Sequence, residues 1–203
     1  MAKTTKAQER PIVIGTPVEI GAAINALRVD LNNSFDWITH PYFIAQRFVT
    51  KEKTNVFLLP EVYAPEQIRG TTKTKLNYKQ LTPDNDFAGL FFAYIGNGRA
   101  LSQDIKENFI QYDVALIFTV NLELIDKDKL AQGLFTRELM SGVRKRLAFT
   151  RFNYNFNYDI IQETDDLKTV FREFLIDELE QYNRAPMQCF RFDLKITVQE
   201  VCE

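Results

Sequence analysis

The sequence predicts an α+β domain: a mixed, mainly antiparallel sheet with about three helices packed on it. Three observations carry that reading. Long stretches alternate apolar and polar residues with the period of two that a half-buried strand requires, most clearly in 112–125, where Tyr112, Val114, Leu116, Phe118, Val120, Leu122 and Leu124 share one face. Three other stretches space their apolar residues by helical turns and carry capping signals. The order of these signals, one helix, several strands, then helix, strand, helix and strand, indicates an α+β sheet with helices covering one face.

The first helix opens at Thr16-Pro17-Val18-Glu19, where Thr is the N-cap, Pro the first helical residue and Glu stands three after the cap. Ile20, Ile24, Leu27, Leu31, Phe35 and Ile38 supply its buried side, and Pro41 ends it. Strands follow at 42–50 and 55–63, joined by a polar hairpin loop, and Pro60 belongs at an edge or bulge because it donates no ladder hydrogen bond. Residues 64–86 are a polar excursion carrying Arg69, Lys73, Lys75 and Lys79, with a small hairpin at 72–81 as one way to fold it. A dense apolar strand at 87–95 ends in Gly96-Asn97-Gly98, and 99–111 reads equally as a short helix or a long loop.

The strand at 112–125 would run more than ~40 Å at about 3.3 Å per residue, long enough for one end to pass the sheet and pair with another chain. A second helix begins at Asp126 or Asp128 and reaches Leu147, burying Leu130, Leu134, Phe135, Leu139, Val143 and Leu147. Its last turn would hold Arg144, Lys145 and Arg146, cations that complement the helix dipole. The alternating run 152–160 reads as a strand with one wet face. A third helix at 166–183 presents Leu167, Val170, Phe171, Phe174, Leu175, Leu179 and Tyr182 on one side and Asp166, Glu173, Asp177, Glu178 and Glu180 on the other. After Pro186 a final strand alternates Phe190, Phe192, Leu194, Ile196 and Val198 with Arg191, Asp193, Lys195, Thr197 and Gln199.

The 203 residues suit one domain, 12–203, behind a polar arm at 1–11, which reads as disordered or as draping over a neighbouring subunit. A chain of this size buries roughly 70% of its unfolded surface and needs neither disulfide nor metal to fold. The net charge of −2 does not favour a nucleic-acid binder, and no apolar run approaches a membrane span. The N-terminus lacks the apolar region of a signal peptide, so folding in a cytoplasm is the expectation. Cys189 and Cys202, in or beside one strand, read as free thiols. The 17 phenylalanines read as core and sheet surface.

His40 is the sole histidine, so no histidine metal cluster forms, and it stands beside Pro41 where a cap or surface role suits it. Phosphate-loop and dinucleotide fingerprints are absent, and the adjacent acids of the third helix point apart. These features lead to no catalytic, cofactor or metal residue, and the expectation is a non-enzyme without cofactors. The basic run Arg144-Lys145-Arg146 with Arg151 is the one feature resembling a nucleic-acid contact.

The early helix at 16–38, the paired strands after it, the long strand leading through Asp126-Lys127-Asp128-Lys129-Leu130 into a helix, and the closing strand 191–200 resemble the tail-terminator and neck-ring (head–tail connector) proteins of tailed bacteriophages. The likeness covers about three fifths of the chain in pattern and topology, not in any motif. The strand at 152–161, the helix at 166–183 and the loop at 64–86 are additions to that pattern, and the Phe- and Asn-rich composition is similar to proteins of AT-rich phages such as the crAss-like ones. The resemblance implies a virion protein without catalysis, forming a hexameric or dodecameric ring around the DNA channel, adjoining other neck, tail or portal proteins and touching no membrane. On that reading Arg144, Lys145, Arg146 and Arg151 of one subunit face Glu173, Asp177 and Glu178 of the next, and Arg69, Lys73, Lys75 and Lys79 meet the adjoining ring. A nucleic-acid-binding accessory protein is the alternative, and an enzyme built on carboxylates a third.

Overall fold

The structure, a computed structural model, describes residues 17–52, 55–63, 78–81, 86–101, 108–130, 134–151, 154–177 and 179–200. It is an α+β fold around one seven-stranded sheet of order β3-β2-β1-β4-β5-β7-β6. The strands are β1 His40–Glu52, β2 Asn55–Tyr63, β3 Tyr78–Gln80, β4 Gly89–Ala100, β5 Asn108–Asn121, β6 Asn157–Thr164 and β7 Met187–Glu200. All neighbouring strands are antiparallel except β1 and β4, which run parallel and pair only from His40↔Leu90 to Ile44↔Ala93.

The centre of the sheet follows from the alternation read in the sequence. Val114, Leu116, Phe118 and Val120 of β5 face one core, and Ala115 and Ile117 face the other. Phe118 stacks between Phe91 and Phe190, with ring centroids at 5.0 and 4.7 Å, and meets Phe192 edge-on. The expected strand 112–125 is displaced, however. It begins at Asn108 and ends at Asn121, whose side chain accepts hydrogen bonds from the backbone N–H of Glu123 and Leu124 and turns the chain into a single helical turn, α2 Leu122–Ile125. Every residue of β5 has a partner in β7, from Asn108↔Glu200 to Asn121↔Met187, so no end runs past the sheet to pair with another chain. Nor does Gly96-Asn97-Gly98 end β4. The strand crosses it with a register shift, and a Cβ at position 98 would stand 2.7 Å from the Tyr112 ring, which lies across the glycine.

The helices depart further from the pattern. Helix α1 spans Val18–Ser34 with Pro17 as its N-cap; Thr16, the expected cap, lies outside the described residues, and the helix stops four residues short of Ile38. Between α2 and α3 a 3-10 turn at Lys127–Lys129 replaces the start of the expected second helix. Helix α3 spans Phe135–Thr150, so Arg144-Lys145-Arg146 sit inside it and not in its last turn, which carries no base. Of the expected strand at 152–160, the described residues are bent at 154–156 and pair with β7 from Asn157.

The largest correction concerns residues 166–183. The described ones form not one helix but a strap: a turn of α-helix, α4 Leu167–Val170, then irregular chain to Asp177, then a 3-10 segment at Leu179–Asn183. The apolar residues find the sheet as expected, since Val170, Phe171, Phe174 and Tyr182 are buried on it. A continuous helix is broken because Leu175 exchanges both backbone hydrogen bonds with Leu58 of β2, at 2.9 Å each, and a residue so paired cannot also serve the helical ladder. The strap covers the face opposite α1 and α3, so both faces of the sheet are covered and not one.

Candidate functional site

Where the strap crosses β7, an arginine is buried with its charge. Arg191 is 2% exposed in its side chain. Its Nη1 and Nη2 donate to the two carboxylate oxygens of Glu173 at 2.5 and 2.6 Å, and its Nε donates to Asp193 at 2.8 Å. Nη1 also donates to the Val170 carbonyl at 3.0 Å. Arg172 closes the group, donating to Glu173 and to Asp193 at 3.1 Å each. Burial raises the Glu173 carboxyl, and the hydrogen bonds and charge of Arg191, with a bond from Arg172, more than reverse that, leaving it below the usual carboxylate range. Burial lowers the Arg191 guanidinium, and Glu173 and Asp193 more than compensate. Both groups therefore hold their charge through neutral pH and are poor proton carriers. Their chemistry is fastening: two arginines and two carboxylates rivet the strap to the sheet.

The rivet forms one wall of a cleft of about 490 Å³. Asp113 and Lys195, opposite one another in the β5–β7 register, lie on its floor. Arg47 comes from β1, Tyr94, Gly96 and Asn97 from β4, and Gln162 from the bulge of β6. Arg47 lies beyond the last β1–β4 pair, Ile44↔Ala93, and borders the cleft on its β1 side.

Those of the residues expected at an interface that the structure describes have partners within the subunit or lie exposed. Arg144 reaches Glu163, Arg146 makes a two-pronged pair with Asp30, and Arg151 reaches Asp159, all within the subunit. With Arg137, 3.9 Å from Asp165, the arginines at 137, 144 and 151 stand seven apart, a near-integral number of turns, and clamp α3 over the edge strand β6. Lys145 is exposed on α3. Glu173 belongs to the rivet, and Asp177 lies exposed in the strap. Glu178, Arg69, Lys73 and Lys75 lie outside the described residues, and Lys79 is described only in its backbone, as part of β3.

Two buried arginines, Arg28 and Arg191, escaped the sequence reading. Arg191 stands in the polar phase of its strand, and nothing in its spacing announces a strap above it. Arg28 lies one turn after Ile24 on the buried side of α1, and this was the available signal; its guanidinium donates to Asn25 at 2.8 Å and to the Pro41 carbonyl at 3.3 Å, tying α1 to the start of β1. His40 stacks on Phe87 with centroids at 3.6 Å and its Nδ1 lies 3.0 Å from the Thr39 hydroxyl. Among the described residues no group of three or more His, Cys, Asp or Glu side chains is placed to hold a metal ion, and no helix is long and apolar enough to cross a membrane. No protein-family model, curated protein or solved structure matches this chain.

Proposed function

We propose that this chain is a structural subunit that assembles with copies of itself into a closed ring in the neck or tail of a tailed bacteriophage, around the channel that DNA traverses. The observation that carries the reading is the β1–β2 ribbon. Beyond Ile44 it has no pairing with β4 among the described residues, and its residues Phe48, Val49 and Val56 are 44, 54 and 43% exposed. Phe48 and Val49 are consecutive, so apolar surface is offered on both faces of the ribbon. Large apolar side chains exposed together on a strand pair with an open edge suit a contact with another protein. The opposite end of the sheet, β6, is capped by the arginines of α3. The two ends are chemically unlike, which suits head-to-tail contacts that close into a ring.

The test is the mass of the purified protein in solution, with negative-stain images of the same sample. Closed hexamers or dodecamers are expected. A monomer at high concentration that also fails to assemble when mixed with neck, tail and portal proteins would sink the proposal.

A further inference from the structure

Resting on the ring reading, we infer that the cleft bordered by the β1 and β4 edges is a strand-addition site, and that its occupant is an extended segment of a second copy. The backbone geometry identifies the open hydrogen-bonding groups. Leu58 directs its N–H and C=O outward to Leu175, so its ladder partner Val49 directs its own pair to the other, open side of the ribbon. Arg47 does the same two residues earlier. On β4 the Gly89 carbonyl accepts from Thr39 on the β1 side, and alternation carries that orientation to Ile95. The bulge then shifts the phase, so that Gly98 and Ala100 face the same way. Leu101 donating to Phe109 on the β5 side agrees with this phase. Among the described residues neither edge has a strand partner beyond Ile44 and Ala93.

Arg47 of the β1 edge and Gly96 and Asn97 of the β4 edge line one cleft. Backbone donors and acceptors on both sides select a polypeptide in the extended form. A β1 edge from a second copy is a poor occupant, because antiparallel pairing centred on Val49 would set Arg47 against Lys51. The chain carries a better one in Pro11-Ile12-Val13-Ile14-Gly15, three β-branched residues bounded by proline and glycine, outside the described residues. With ten residues before it and α1 after it, this run has the apolar character that would cover Phe48 and Val49.

The experiment uses full-length protein. One variant carries Val13→Cys and the other Asn97→Cys, both with Cys202→Ser, and the mixture is treated with a short bis-maleimide. The expected result is a product of twice the subunit mass joining positions 13 and 97, read by peptide mapping. Val49→Pro removes an open N–H and should lower its yield about tenfold, the scale of one backbone hydrogen bond; Val49→Ala keeps the N–H and should leave it within about twofold. Rings that form without the crosslink and assemble normally as Val49→Pro overturn this inference and leave the ring proposal standing. A crosslink between copies without rings does the reverse. In a Val13→Cys, Asn97→Cys double variant, a product confined to single chains overturns the inference by making the occupant the subunit's own segment.

Discussion

At the scale of single residues, Arg191 and Glu173 set the sign of the acid response. Glu173 sits below its ordinary value of 4.5, so its contribution to stability is complete above that value and is lost as pH falls through its lower folded value. Glu173→Gln should cost roughly 3 kcal/mol at pH 7, since it strands part of a buried guanidinium charge, and should flatten the acid limb of the stability profile measured by urea denaturation. Glu61 has the opposite sign. Burial raises its carboxyl, and among the described residues its buried Oε2 has no hydrogen-bond partner. A raised group favours the fold below its ordinary value and penalises it once ionised, so Glu61→Gln should raise Tm slightly at pH 7 and leave it unchanged near pH 4. Cys189 is fully buried in the sheet core, and burial pushes its thiol up to about 12. It should resist iodoacetamide in the native protein and react in urea, as peptide mass mapping would show.

At the scale of elements, an aromatic stack joins β4, β5 and β7. Phe118→Ala leaves a hole against Phe91, Phe190 and Phe192 and should destabilise by about 3–5 kcal/mol in chemical denaturation. The joint between α1 and α3 is the Asp30–Arg146 pair. Arg146→Ala should cost about 1 kcal/mol, because the pair is part exposed and its value is correspondingly screened. Charge reversal at Arg144 and Arg146 would cut these subunit-internal pairs before it touched any neighbour, so the assembly phenotype of such a variant reports folding and interface together. The ribbon is held in place by Leu58–Leu175, and Pro60 fits beside it because its missing N–H faces the outer side, where only its carbonyl is used, by Leu81.

At the scale of the whole molecule, the fold is a sheet with a different cover on each face and a different chemistry at each end. α1 and α3 cover one face, the riveted strap covers part of the other, and the uncovered remainder is the cleft. On the ring proposal the apolar ribbon is the surface to test first for a contact between subunits. Substituting Phe48 and Val49 together by serine should leave the thermal transition of the isolated subunit nearly unchanged and shift light-scattering mass toward the monomer.

Most strands were legible because alternation is a local property: a sheet face needs every second residue apolar, and 112–120 and 190–198 show it without further context. The cysteine and histidine inventory is local in the same sense. Element ends were less legible, since the cap at Asn121 and the bulge at Gly96 depend on what β7 and β5 place opposite them. The strap was illegible as a strap. Its apolar spacing is that of a helix, and only the competing backbone bonds of Leu58, far from Leu175 along the chain, break it. The arginines divide in the same way. Composition shows that they exist, but a guanidinium's partner is decided by which carboxylate the fold carries within reach, and Asp30, Glu163, Asp159 and Glu173 reach theirs only through tertiary contacts that no sequence spacing encodes.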